Sequence, residues 1–286
     1  MTRHIIIVGA ARSGTKILRD VLAEARGVGC VPYDIGFVWR YANERVPHDV
    51  LDPATVTPRI QRFVRRYVDR YARSGRDVVI EKTVGNTLRV PFVHAVLPDA
   101  AFVHLVRDGT DVAESARRQW SAPPDREYLL RKVRHFPLRL LPSYGREYAL
   151  AQLSLLRGVQ SHAATWGPRY PGIDDDVASS ELLTVCARQW RASVEYASRD
   201  LARVSTLVVD VRYEHLVSEP LTTLGELIDR LGLPASAEDR RRAAARLEVG
   251  RAGVGPRSLD SRELELISAE LGTTLNTFGH GAGTGR

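Results

Sequence analysis

Short apolar runs and helically spaced apolar positions take turns along this chain. Ile5 to Val8 is a run of β-branched residues and Gly9 to Gly14 is turn-forming. From Thr15 the positions Ile17, Leu18, Val21 and Leu22 fall on one helical face. The pattern predicts strand, glycine loop, helix. Val28 to Val31 reads as a short edge strand stopped by Pro32. Arg59 to Arg73 puts Ile60, Phe63, Val64, Tyr67, Val68 and Tyr71 on one helical face and arginines on the other. Those arginines read as a solvated face, with docking of an acidic acceptor as the minor alternative. A strand over Asp77 to Ile80, closed by Glu81-Lys82-Thr83, precedes a helix from about Leu88 to Val96, and strand Ala101 to Val106 precedes a helix from about Asp108 to Trp120.

Between Ser121 and Asp176 the pattern loosens around Pro123, Pro124, Pro137, Pro142, Pro168 and Pro171. This predicts a helical insertion over residues 121–179 that serves as an acceptor-binding cap. Helix returns over Ser180 to Leu201, strand over Ser205 to Val211, and helix over Pro220 to Leu231. Two more helices, Ala237 to Arg246 and Asp260 to Leu271, flank the loop Gly250 to Arg257. The alternation indicates an α/β, three-layer fold: a central, mostly parallel sheet of about four to five strands flanked by helices, with right-handed crossovers. Ligands of such sheets bind beyond the strand carboxyl ends, where segments 9–16, 81–86 and 107–111 would meet. One domain over residues 1–278 is expected, with the glycine-rich tail 279–286 disordered.

Composition narrows the function. At 286 residues and 44% hydrophobic content, the chain can bury one large core. The net charge is +7, yet only 3 of the 41 basic residues are lysines: Lys16, Lys82 and Lys132. Two of those lie in the converging polar segments. The charge fits an anionic cofactor or acceptor, and no nucleic-acid-binding module is recognisable. Cys30 and Cys186 are too few and too far apart for a disulfide framework and lack metal-ligand spacing, so they read as buried thiols. The chain opens into a core strand without a charged leader or a long apolar segment. We therefore expect neither signal peptide nor membrane anchor, and a cytoplasmic location.

In a strand, loop and helix of this kind, the loop amides and the free N–H groups of the first helical turn converge, with the positive end of the helix dipole behind them. Such a spot takes an anion, and Arg12 and Lys16 add full charges. The loop departs from the G-x-x-x-x-G-K-[ST] phosphate loop in an informative way. Gly9 and Gly14 are in place, but Thr15 and Lys16 stand in swapped order and Ile17 follows without a magnesium-binding hydroxyl. A P-loop-like phosphate cradle that needs no metal is the reading. A second anion site is suggested by Arg107 at a strand end and Ser115 in the next helix, a bidentate fork with a short donor suited to a phosphate monoester. Two separated sites imply one ligand carrying both anions.

At these residues the chain resembles the sulfotransferase family that uses 3'-phosphoadenosine 5'-phosphosulfate (PAPS), in its bacterial, carbohydrate and small-molecule branch. Ala11-Arg12-Ser13-Gly14-Thr15-Lys16 resembles the family's 5'-phosphosulfate loop, P-[KR]-S-G-T-[TK], with Ala for Pro. Arg107 to Ser115 resembles its 3'-phosphate motif, R-[DN]-P-x-D-x-x-x-S, with Gly109 for Pro. Glu81-Lys82-Thr83 and Asn86 resemble the E-K-T-x-x-N segment of bacterial members. Arg212-Tyr213-Glu214-His215-Leu216, followed by Pro220, resembles an R-Y-E-x-L block. In the loop Gly250 to Arg257, the resemblance implies an arginine over the 3'-phosphate; Arg251 is chosen, with Arg257 the alternative.

The resemblance implies in-line transfer of a sulfuryl group to a hydroxyl or amine of a carbohydrate, lipid or small-metabolite acceptor, releasing adenosine 3',5'-bisphosphate (PAP), without a metal. Arg12, Lys16 and the amides of Ser13, Gly14 and Thr15 would stabilise the charge that develops on the bridging oxygen. Lys82 is either a second cation over the sulfuryl group or acceptor, or a partner for Glu81 or Asp108. The base of several bacterial members is a carboxylate in a P-x-E position, which Pro32-Tyr33-Asp34 matches with Asp; Asp34 is the first choice, Glu81 the second, and a plain loop role for Asp34 stays open. Phe37, Trp39, Tyr41, Trp120, Trp166 and Tyr170 could line an acceptor cleft or simply pack. Two rivals remain. One is a metal-dependent nucleoside or sugar kinase, with Leu207-Val208-Val209-Asp210 imitating its acidic strand. The other is a non-catalytic nucleotide-binding relative.

Overall fold

A computed structural model of the chain describes residues 2–72, 77–120, 166–247 and 252–278. Five strands, β1 (Arg3–Val8), β2 (Val28–Cys30), β3 (Val78–Glu81), β4 (Ala101–Val106) and β5 (Val208–Arg212), form one sheet in the order β2-β3-β1-β4-β5. Every pairing is parallel, with Ile5 opposite both Ile80 and Ala101. The helices are α1 (Thr15–Leu22), α2 (Gly36–Trp39), α3 (Pro58–Asp69), α4 (Val90–Val96), α5 (Gly109–Trp120), α6 (Ile173–Ser179) and α7 (Leu182–Leu201). They continue with α8 (Tyr213–Ser218), α9 (Pro220–Arg230), α10 (Ala237–Ala245) and α11 (Ser261–Phe278).

The continuous β-branched run of β1 is explained by burial on both faces. Ile5 and Ile7 pack with Leu18, Leu22, Leu216 and Leu224 on the side of α1, α8 and α9. Ile6 and Val8 point the other way, into Ile60, Val64, Phe92 and Phe102 on the side of α3 and α4. A third cluster, around Val112, Trp190 and Ile267, joins α5, α7 and α11 beside the sheet. The connection after β1 therefore leaves to one face and that after β3 to the other, which opens a crevice above the carboxyl ends of these adjacent strands.

Local chemistry sets several boundaries. Thr57 caps α3 by accepting from the Ile60 N–H at 3.3 Å, and Pro58 occupies the first turn, where its missing N–H costs nothing. Asp108 caps α5, accepting from Thr110 and Asp111 N–H at 3.0 and 3.1 Å. The last helix runs past the expected end at Leu271 because Gly272 (φ 47°, ψ −134°) kinks it rather than ending it. The helix expected from Leu88 is a 3-10 turn over Val84–Leu88 followed by α4. Cys186 is buried as expected, and Cys30 only partly. Among the described residues no helix is long and apolar enough to cross a membrane. Most of the expected insertion (residues 121–165), Lys132, Arg251 and the tail 279–286 lie outside the described residues.

Candidate active site

The loop after β1 is shaped by close approaches. A Cβ on Gly9 would lie 2.4 Å from the Leu105 carbonyl oxygen of β4. Gly14 is left-handed (φ 90°) and caps α1, and a Cβ there would meet the Tyr213 ring at 2.7 Å. Between them Arg12 is itself left-handed (φ 73°), a conformation that costs a non-glycine residue about 1–2 kcal/mol and gathers at functional sites. The first turn of α1 carries no acidic residue and no side-chain cap. Ser13 is fully buried at the floor of this loop, and among the described residues its hydroxyl has no hydrogen-bond partner. An orphaned hydroxyl below an uncapped helix terminus suits an incoming anion, which would accept hydrogen bonds from it and from the loop amides. Lys16 stands exposed one turn-position inside α1.

The second predicted cluster adjoins the first. Arg107 follows β4, lies over the Tyr213 ring at 4.3 Å, and donates to the Arg12 carbonyl at 3.2 Å and to Asp111 Oδ2 at 3.1 Å. The Arg12 guanidinium in turn donates to Ser115 Oγ at 3.1 Å and Gln119 Oε1 at 3.2 Å. The glycine loop and the Arg107/Ser115 pair are thus hydrogen-bonded to each other rather than detached, and Arg12 leans toward Ser115. Asp111, absent from the sequence-based site, holds the following piece together. Its buried carboxylate also accepts from Gly253 and Gly255 N–H at 2.8 and 2.6 Å, drawing the arginine-containing loop onto the start of α5. Arg257 on that loop is exposed.

The third cluster follows β3. Lys82 Nζ donates to Asp34 Oδ1 at 2.8 Å, so its partner is Asp34 and neither Glu81 nor Asp108. Asp34 is partly exposed, at 23% of its side chain. Glu81 is 0% exposed, and accepts from Thr83 Oγ1 at 2.5 Å and Asn86 Nδ2 at 2.9 Å. Burial pushes its carboxyl up to about 7, against hydrogen bonds and the Lys82 charge that pull it down. Thr83 Oγ1 also accepts from the Ile35 N–H at 2.9 Å, and Asn86 from Arg89 at 2.9 Å. The Glu81-Thr83-Asn86 segment is therefore an internal truss that ties the Asp34 loop to β3.

Other expectations shift with burial. Phe37 and Trp39 are 5% and 0% exposed and belong to the core, and Tyr170 is buried beside Ile173 and Val185. Trp120 and Trp166 are partly buried packing residues. Tyr41 alone among those aromatics borders a described cavity. Asp210 pairs with His104 at 3.1 Å in the middle of β5. Tyr213 and Asp111 sit inside segments quoted for their sequence pattern, but their roles emerge only from contacts across the fold.

Residues 4–157, just over half of the chain, match the model described as Sulfotransferase family. Among solved structures, the chain is similar to sulfotransferase STF9 from Mycobacterium avium, at 14% identity over 97% of this chain and 77% of that one, with a TM-score of 0.47. It is also similar to a sulfotransferase from Alicyclobacillus acidocaldarius (14% identity, 98% and 96% coverage, TM-score 0.47). A third is mouse sulfotransferase SULT7A1 complexed with PAP (13% identity, 94% and 84% coverage, TM-score 0.47). No curated protein sequence matches the chain. With its glycine loop, Arg107 cluster and family match, the chain belongs to the sulfotransferase family, and is an enzyme of sulfuryl transfer.

Proposed function

We propose that the sulfuryl donor is PAPS and that the acceptor is a hydroxyl or amine of a carbohydrate, lipid or small metabolite, with PAP as the leaving product and no metal required. One observation supports this reading: hydrogen bonds from Arg107 to Arg12 and from Arg12 to Ser115 link the glycine loop to the second predicted anion cluster. A nucleotide with phosphate groups at both ends of its ribose matches that pairing. The buried Ser13 hydroxyl supports the fit.

Bound there, the nucleotide would supply an activated sulfuryl group and a stable leaving phosphate. The chain supplies the rest. Amides of Ser13, Gly14 and Thr15, the Ser13 hydroxyl and Lys16 hold the 5' end and oppose the negative charge that builds as the bond to sulfur breaks. Arg107 and Ser115 hold the 3'-phosphate, and Arg12, expected from the resemblance at the bridging oxygen, joins them through its bond to Ser115. Tyr213 fixes both Gly14 and Arg107, and Asp111 keeps the loop over residues 252–257 closed on them. Asp34 takes the acceptor proton, and Lys82 fixes its direction. Glu81 positions the Asp34 loop through Thr83 without touching the acceptor.

The test is mass spectrometry of cell extract incubated with the protein and sulfur-labelled PAPS, with EDTA present. A newly sulfated compound is expected, formed by wild type and lost with Asp34→Asn. Label transfer that needs a divalent ion would contradict the proposal.

A further inference from the structure

The solvent side of α3 carries a feature that the chemistry above does not use. Arg59, Arg62, Arg66 and Arg70 recur in steps of three and four residues, which aligns them in one stripe about 16 Å long. All four are exposed, and among the described residues none of them makes an ion pair. The helix has a single acid, Asp69, and it is turned to His4 at 2.8 Å. Arg59 moreover sits in a first turn that holds no acid, where the helix dipole disfavours a cation. A solvated helix face ordinarily mixes both signs; this one does not.

The stripe is also walled. With Tyr41, Phe63 and Tyr67 the four arginines line a cavity of about 470 Å³, a size that takes a small ligand. Arg59 lies 5.6 Å from the Tyr41 ring centre and Arg70 lies 4.0 Å from that of Tyr67, while the Tyr41 and Phe63 rings stack at 4.1 Å. Ring contacts hold the outer two guanidiniums in place without neutralising them. The direction of the groove follows from the fold. His4 lies near the start of β1, so its bond to Asp69 sets the end of α3 at the strand-start edge, and the helix start with Arg59 lies toward the carboxyl edge. At the other end of the groove, Tyr33, the neighbour of Asp34, shares hydrogen bonds with Tyr67 at 3.0 Å and Tyr71 at 2.8 Å.

We propose that this groove binds an acidic oligosaccharide, a chain of sugar rings bearing carboxylate or sulfate groups, as the extended part of the acceptor whose reacting hydroxyl lies at Asp34. The acceptor role rests on the function proposed above; the binding does not. Guanidiniums at intervals of about one helical turn pair with successive anions along an extended acidic chain. Nucleic acid fits less well, because Arg59 and Arg70 already cover ring faces that bases would need. A membrane surface fits less well too, since no large apolar residue on α3 is exposed.

The experiment is calorimetric titration of the whole protein with tetragalacturonate, and with uncharged maltotetraose at the same ionic strength. Saturable binding of the uronate alone is expected, weakened about tenfold or more by the Arg62→Gln, Arg66→Gln double variant. Arg203→Gln with Arg241→Gln, which removes equal charge from exposed sites elsewhere, should leave it unchanged. Equal weakening by both pairs, equal binding of maltotetraose, or tighter binding of oligothymidylate or phosphatidylserine vesicles overturns the proposal. PAP affinity is read in parallel. Uronate binding lost from the α3 variant with PAP affinity intact locates the effect in the groove. A wild type that binds uronate but not PAP refutes the donor site and leaves the groove. Label from sulfur-labelled PAPS should appear in the uronate, and bound but unlabelled uronate contradicts the acceptor role.

Discussion

Replacing Glu81 by Gln should change how stability depends on pH, and the size of the change can be worked from the structure. In the unfolded chain this carboxyl titrates near its ordinary 4.5; in the fold, burial raises it to about 7. Between those values the folded protein keeps a proton that the unfolded chain has lost, so stability falls as pH rises through the window. At about 1.4 kcal/mol per pH unit, the loss totals about 3 kcal/mol by pH 8. Gln has no proton to lose and can still meet Thr83 and Asn86. The stability of Glu81→Gln relative to wild type should therefore rise by about 3 kcal/mol between pH 4 and pH 8. Urea unfolding at both pH values measures it. His4 acts in the opposite sense, because burial lowers its pKa and its contribution is lost as pH falls below 6.5, but it is common to both proteins and cancels in the difference. A difference that stays flat with pH would refute the buried, proton-holding role of Glu81.

Two further substitutions probe the cleft. Asp34→Asn keeps the shape of the side chain and removes the base, so turnover should fall by about 10²–10⁴-fold with PAP affinity unchanged; steady-state rates at saturating donor decide, and wild-type turnover would reduce Asp34 to a loop residue. Gly14→Ala forces a left-handed alanine against the Tyr213 ring, for an expected loss of about 2–4 kcal/mol in urea unfolding; a loss under about 0.5 kcal/mol would mean that the loop relaxes freely.

The architecture was readable from the sequence wherever periodicity carried it. The buried run Ile5 to Val8, the glycines after it and the spacing of Leu18 and Leu22 specify β1, loop and α1 with little help from the rest of the chain. What the sequence hid depends on burial and on distant partners. Glu81 and Asp34 look alike as carboxylates, and only the fold leaves one sealed against Thr83 and Asn86 and the other paired with Lys82 at the surface. Phe37 and Trp39 could have faced an acceptor, but the turn of α2 points them into the core behind β1. Tyr213 comes under Gly14 and Arg107 only because β5 lies next to β4. The arginines of α3 were legible as a face; that rings fence them into a cavity was not.

The most direct test of the proposed donor site is titration of PAP into the protein in the presence of EDTA. Wild type should bind one equivalent tightly, and Arg107→Ala should weaken binding by about 2–5 kcal/mol, the loss that follows truncation of a hydrogen-bonded, largely buried charge. Binding that depends on magnesium, or an Arg107→Ala dissociation constant equal to that of wild type, would contradict the account.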